Sequence, residues 1–218
     1  MPIASLTFVS SNEEKFREIR GALDGCGVAV ARVALDLPEI QSLDPAQVAG
    51  HKARQAFAQL DAGAVLVEDT GLAILAWNGY PGALIKWVLG AVGEPGLCRQ
   101  LDAWADRRAQ ATVALCLYDG RALHTFTGQT TGVITRKPRG AHGFGWDSIF
   151  QPDGYELTYG EMPREEKMRV SPCAPSAEPV TGAEDATTRS VLVGRVWRSE
   201  PCKSLHPARR AVAASREG

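Results

Sequence analysis

The sequence of 218 residues predicts a mixed α/β fold. Short apolar runs alternate with helical stripes through the first hundred residues, the pattern of strands and helices sharing one sheet. A hairpin signal follows: residues 112–118 and 121–127 flank Asp119-Gly120, a dipeptide that accepts the positive φ angles of a primed turn. A chain that is 44% hydrophobic suits one globular domain with a sizeable core.

Residues 6–9 read as a short buried strand. Ser11, with Glu14 three residues later, has the form of a capping box. Phe16, Ile19 and Leu23 give the helical stripe behind it. Residues 28–33 suggest a second strand. Asp44, Pro45 and Gln47 open a second helix, whose apolar face carries Val48, Ala49, Ala53, Ala56, Phe57 and Leu60. Residues 64–67 form a strand, closed by Glu68-Asp69 at the start of a turn. Another turn spans 79–82. Residues 83–89 look helical, and 95–104 form a further helix. After the hairpin, residues 131–135 extend the sheet, and loops rich in Gly, Pro and Arg run to about residue 160. From residue 171 Ala, Pro, Ser and Arg dominate. Periodicity there is weak apart from Val191-Leu192-Val193, so the tail reads as loosely ordered.

A net charge of −1 supplies no basic field to recruit a nucleic acid polymer or an anionic membrane. No apolar run approaches a membrane span. Met1-Pro2-Ile3-Ala4-Ser5 lacks the basic and long apolar regions of a secretory signal, so a cytoplasmic location is expected. Cys26, Cys98, Cys116, Cys173 and Cys202 form no CxxC pair, which points to free thiols rather than a zinc site.

The pair Glu68-Asp69, ending the apolar run Ala64-Val65-Leu66-Val67, points to chemistry. Carboxylates at a buried strand end are unfavourable without a cation. A divalent metal placed this way usually serves phosphate chemistry. Adjacent strand side chains face opposite ways, so Asp69 is the leading candidate, and Glu68 either binds metal or supports from behind. Glu39 offers a second metal oxygen or is a solvated loop acid.

Ser10-Ser11-Asn12-Glu13-Glu14-Lys15 lies where a strand gives way to a helix. Free N–H groups, the helix dipole and Lys15 favour an anion there, although an ordinary capped helix reads the same. Lys52 and Lys86 either snorkel from apolar stretches or join Lys15 in a polyphosphate cradle. Gly143-Phe144-Gly145-Trp146-Asp147 is a glycine-spaced aromatic loop whose rings either stack on a base or pack in the core. It begins like GxGxxG, but Ser148 stands for the third glycine and no strand precedes it.

Taken in order, these motifs resemble the inosine triphosphate pyrophosphatase family, also called Ham1-like. Leu37-Pro38-Glu39-Ile40-Gln41, Glu68-Asp69-Thr70-Gly71-Leu72, Gly79-Tyr80-Pro81-Gly82, Lys86-Trp87, Phe144-Gly145-Trp146-Asp147, Phe150-Gln151-Pro152-Asp153-Gly154-Tyr155 and Glu165-Glu166-Lys167 carry the resemblance, which covers about residues 6–171. It implies an elongated central sheet flanked by helices, with two lobes and an active-site cleft between them. It also implies a homodimer that uses Mg²⁺ to split ITP, XTP, dITP and related triphosphates into the monophosphate and pyrophosphate. By that resemblance Asp69 is the proton acceptor and a metal ligand, with Glu39 and, less directly, Glu68 beside it. Ser10, Ser11, Asn12, Glu13, Glu14, Lys15, Lys52, Lys86 and Lys167 hold phosphates. Thr70 and Ser171 touch the substrate, and Phe144, Gly145, Trp146 and Asp147 line the base and sugar pocket.

The pattern breaks after Lys167. Where the family continues to Ser-His-Arg, this chain has Ser171-Pro172-Cys173. The resemblance implies that the His and Arg donate to the purine 6-keto oxygen. Pro and Cys cannot do so strongly, so weaker discrimination between keto and amino purines is expected. Residues 1–170 are therefore expected to form the catalytic domain. The tail 171–218 is either a diverged segment or the product of a reading-frame shift near residue 168. A pyrophosphatase of altered base range and an impaired nucleotide-binding remnant are the alternatives to the main reading.

Overall fold

One seven-stranded mixed sheet organises the chain, and the computed structural model describes residues 5–23, 28–60 and 63–172. Its strands are β1 (Ser5–Val9), β2 (Ala29–Val33), β3 (Val65–Ile74), β4 (Pro81–Gly82), β5 (Arg108–Tyr118), β6 (Leu123–Ile134) and β7 (Phe150–Pro152). The helices are α1 (Glu13–Leu23), α2 (Pro45–Gln59), α3 (Ile85–Gln100) and α4 (Arg164–Val170). The sheet order is β2-β1-β3-β5-β6-β7, with β4 on the far end of β3. β2 and β3 lie parallel to β1, and the remaining pairs are antiparallel. This is the expected mixed α/β architecture.

Alternation along the strands builds cores on both faces. Leu66, Leu115 and Leu117 pack under α1 with Phe8 and Ile19. Val65, Val67, Ala114 and Cys116 pack under α2 against Ala49, Ala53 and Ala56. The alanines let α2 lie close to the sheet, as its predicted apolar face requires. A further core, at the other end of β3, β5 and β6, joins Leu72, Ile74, Ile134, Phe150 and Tyr159 to α3.

Several boundaries differ from the sequence expectation. β3 does not turn at Glu68-Asp69 but runs on to Ile74, because every residue from Val65 to Ile74 is in register with β5. Residues 131–134 are not a separate strand; they complete a continuous β6. The two helices expected at 83–89 and 95–104 meet in α3, broken at Gly93, whose φ of 67° no helix accommodates. Asn12 rather than Ser11 caps α1: its Oδ1 accepts from the N–H groups of Glu14 (2.9 Å) and Lys15 (3.2 Å). β7 lies inside a stretch read as loop.

Among the described residues no helix is long and apolar enough to cross a membrane. Cys98 and Cys116 are free thiols, whereas Cys26, Cys173, Cys202 and residues 173–218 lie outside the described residues.

Candidate active site

A cavity of about 680 Å³ opens beside the ends of β1 and α1 and the middle of β3. Ser10, Ser11, Asn12, Lys15, Glu39, Lys52, Glu68, Asp69, Thr70, Lys86, Phe144, Gly145, Trp146, Asp147, Lys167 and Ser171 all line it. Glu13 and Glu14 do not. Both are exposed and pair with Arg17, one turn on along α1.

The strand pleat divides the acidic pair. Glu68 shares a face with Leu66 and meets Lys15 of α1 at 3.2 Å, while Lys15 also donates to Thr70 Oγ1 at 3.3 Å. Asp69 shares the opposite face with Val65 and Val67 and meets Lys52 of α2 at 3.3 Å. Lys52 Nζ also donates to Glu39 Oε1 at 2.9 Å. Glu39 comes to this point on the loop before α2, where Asp44 caps the helix by accepting from Ala46 N at 2.9 Å.

One ammonium thus bridges two carboxylates with different protonation behaviour. Burial pushes the Asp69 carboxyl up to about 6, against the pull of Lys52 and Lys15. Burial also pushes Glu39 up, but the Lys52 hydrogen bond and the charges of Lys52, Lys86 and Lys15 outweigh it and hold Glu39 below the usual range. Exposure accounts for the contrast: the Glu39 side chain is 25% exposed and that of Asp69 only 12%.

Glu39 and Asp69 direct oxygens at one point, now filled by the Lys52 ammonium. That donor set suits Mg²⁺, which is commonly held by one or two carboxylates together with substrate phosphates and water. Among the described residues no cluster of three or more His, Cys, Asp or Glu forms a closed metal cage. Glu68, held by Lys15 on the other face of β3, stands apart from this pair.

The far end of the cavity is aromatic. Asp147 Oδ2 accepts from Phe144 N at 2.7 Å and from Lys167 Nζ at 2.6 Å. A Cβ on Gly143 would lie 2.0 Å from that same oxygen, so the loop needs glycine there. Burial raises the Asp147 carboxyl despite Lys167. Lys167 Nζ stands 5.0 Å from the Phe144 ring centroid, beside the aromatic loop. Trp146 packs edge-on against Phe150 at 5.4 Å, a core contact. Lys86 stands 5.4 Å from the exposed Trp87 ring.

Tyr159 also lines the cavity, fully buried, with its hydroxyl donating to Val170 O at 3.1 Å. It lies in the run Thr158-Tyr159-Gly160-Glu161-Met162, which belongs to the family resemblance, but the sequence assigns it no site role. Pro172, buried, closes the cavity wall next to Ser171. The substituted Cys173 lies outside the described residues.

Known proteins are similar to this chain in sequence and fold. The Ham1 family profile matches residues 6–178. An inosine triphosphate pyrophosphatase of Aspergillus fumigatus is 44% identical over 174 residues, covering 78% of this chain and 89% of that protein. A dITP/XTP pyrophosphatase of Methanopyrus kandleri is 39% identical over 166 residues, covering 75% and 87%. Among solved structures, a HAM1 protein from Coxiella burnetii superposes with a TM-score of 0.68 at 26% identity, covering 78% of this chain and 92% of that one. A nucleoside-triphosphatase, dITP/XTP pyrophosphatase, from Mycobacterium abscessus gives 0.64 at 30% identity, covering 77% and 93%. With one profile spanning the sheet, the cavity and both carboxylates, the chain belongs to the Ham1 family.

Proposed function

We propose that the protein hydrolyses deaminated purine nucleoside triphosphates (ITP, XTP and dITP) to the monophosphate and pyrophosphate, with Mg²⁺ as cofactor. The observation that carries this reading is the convergence of Lys15, Lys52, Lys86 and the capped start of α1 on the cavity that holds Glu39 and Asp69. The names of the similar proteins support the substrate class.

When bound, Mg²⁺ would polarise phosphate oxygens and lower the pKa of water. Glu39 and Asp69 are the residues to hold it. Asp69 accepts the proton of the attacking water. Metal and lysine charges beside it keep that carboxyl ionised, the form that accepts a proton. Lys15 and Lys86 offset charge growing on the departing pyrophosphate. The N–H groups behind Asn12 and the helix dipole add to the anion site. Thr70, linked to Lys15, touches the triphosphate. Phe144 presents its face to the base, with Asp147 and Lys167 fixing the loop that carries it and Ser171 at the same end. In this reading residues 1–170 are the catalytic unit, the enzyme is a homodimer as the family resemblance implies, and it works on the cytoplasmic nucleotide pool.

Pro172 favours a second reading in part. It lines the cavity but carries no N–H and no polar side chain, which supports a broader base range.

Release of pyrophosphate from ITP, XTP, dITP, GTP, ATP and UTP tests both. Monophosphate and pyrophosphate from the deaminated purines are expected. Orthophosphate release, or no product from any nucleotide, would overturn the assignment.

A further inference from the structure

We infer that Lys52 is a built-in counter-ion that occupies the divalent-cation position between Glu39 and Asp69 until a triphosphate draws it away. The inference rests on the metal-assisted reading above. Lys52 Nζ lies 2.9 Å from Glu39 Oε1 and 3.3 Å from Asp69 Oδ1. The side chains of Lys52, Glu39 and Asp69 are only 17%, 25% and 12% exposed, so solvent screens their charges poorly. Without the ammonium, the two carboxylates would face each other with no cation between them.

A hard divalent ion would be held by the same two carboxylates. Two cations sharing that position would repel strongly, so Lys52 and the metal compete for it. The lysine stem is flexible and can swing aside, but leaving two carboxylates is unfavourable unless other anions receive the ammonium. The phosphates of a bound nucleotide are such anions. Metal and nucleotide binding then reinforce each other through one side chain, a reciprocal coupling. The free enzyme takes up a divalent ion weakly, and the metal–triphosphate complex enters as a unit. A carboxylate pair left open would instead load metal in advance.

Mn²⁺ binding without nucleotide tests this, followed at about pH 8 by the electron paramagnetic resonance signal of free Mn²⁺. Lys52→Met should bind Mn²⁺ about tenfold or more tighter than the wild type. Lys52→Gln should shift in the same direction. Adding Glu39→Gln to Lys52→Met should return binding to the weak wild-type level. Equal or weaker Mn²⁺ binding by both Lys52 variants, each shown by circular dichroism to be folded, would overturn the inference. Water-proton relaxation of wild-type protein with Mn²⁺ and α,β-methylene-ITP separates the two levels. If no protein-bound Mn²⁺ forms even there, the metal reading itself falls and takes this inference with it. If it forms there while the Lys52 variants gain nothing on Mn²⁺ alone, only the counter-ion role is lost.

Discussion

Glu68 and Asp69 are chain neighbours that hold different lysines from opposite faces of β3, Lys15 at 3.2 Å and Lys52 at 3.3 Å. The pleat alone separates them, so their substitutions should separate kinetically. Asp69→Asn removes the proposed proton acceptor and should lower kcat by about 10²–10⁴. Glu68→Gln leaves the proposed acceptor in place but removes the carboxylate that holds Lys15, so its main effect should be a higher KM. Steady-state kinetics on ITP decides, and an equal collapse of kcat in both variants would refute the division of roles.

Asp69 also sets a pH dependence of stability in the metal-free protein. Its carboxyl takes up a proton near pH 6 when folded, against an ordinary value of 3.8. Between those values the folded state binds more protons than the unfolded chain, so stability falls as pH rises through that window. At about 1.4 kcal/mol per pKa unit, ionised Asp69 destabilises the fold by up to about 3 kcal/mol above pH 6. Asp69→Asn should therefore raise Tm at about pH 7.5 in chelator, and the gain should shrink by about pH 4.5. Scanning fluorimetry at both pH values checks this, and a lower Tm for the variant throughout would contradict it.

The same residues show what could be read in the chain. The local spacing of Ser10 to Lys15 and the charge of Lys52 and Lys86 marked their candidacy, because each stands out within its own segment. Their convergence on one cavity depends on β1, β3 and α2 packing side by side, which no local pattern encodes. The turn expected at Glu68-Asp69 failed for a related reason. Acids usually mark strand ends, but here long-range pairing with β5 and two lysines from distant helices hold them inside a strand. β7 has three residues and gains its identity only by pairing with β6. Tyr159 reaches the cavity through packing on Trp146 and Phe150, contacts that sequence spacing does not reveal.

Gly82 ties the Glu39 loop to the start of α3. Its φ is +55°, and a Cβ there would stand 2.1 Å from Leu43 O, the oxygen that accepts from Ala83 N at 2.9 Å. Gly82→Ala should lower stability by about 1–3 kcal/mol through strain and clash together and should reduce kcat by displacing Glu39. Gly79→Ala is the control: its φ is +88°, but nothing lies within 4 Å of the added carbon, so it meets only the backbone penalty. Denaturant melts and kinetics on both variants test the link. Equal loss of kcat in the two would show that the Leu43 contact does not position the loop.

Pro172 bears on base choice. It is buried against the cavity beside Ser171, at the end where Phe144, Asp147 and Lys167 meet. A proline can neither donate through its backbone nor offer a polar side chain, so it cannot favour a 6-keto over a 6-amino purine by hydrogen bonding. The ratio of kcat/KM for ITP over ATP should therefore stay below about a hundredfold, the discrimination typical of shape alone. Pro172→His combined with Cys173→Arg supplies the donors that the family resemblance implies at these two positions, and should raise that ratio by on the order of tenfold or more. A wild-type ratio already in the thousands would mean that another donor reads the base. Lys167, 2.6 Å from Asp147 and facing the Phe144 ring, would then be the first to substitute.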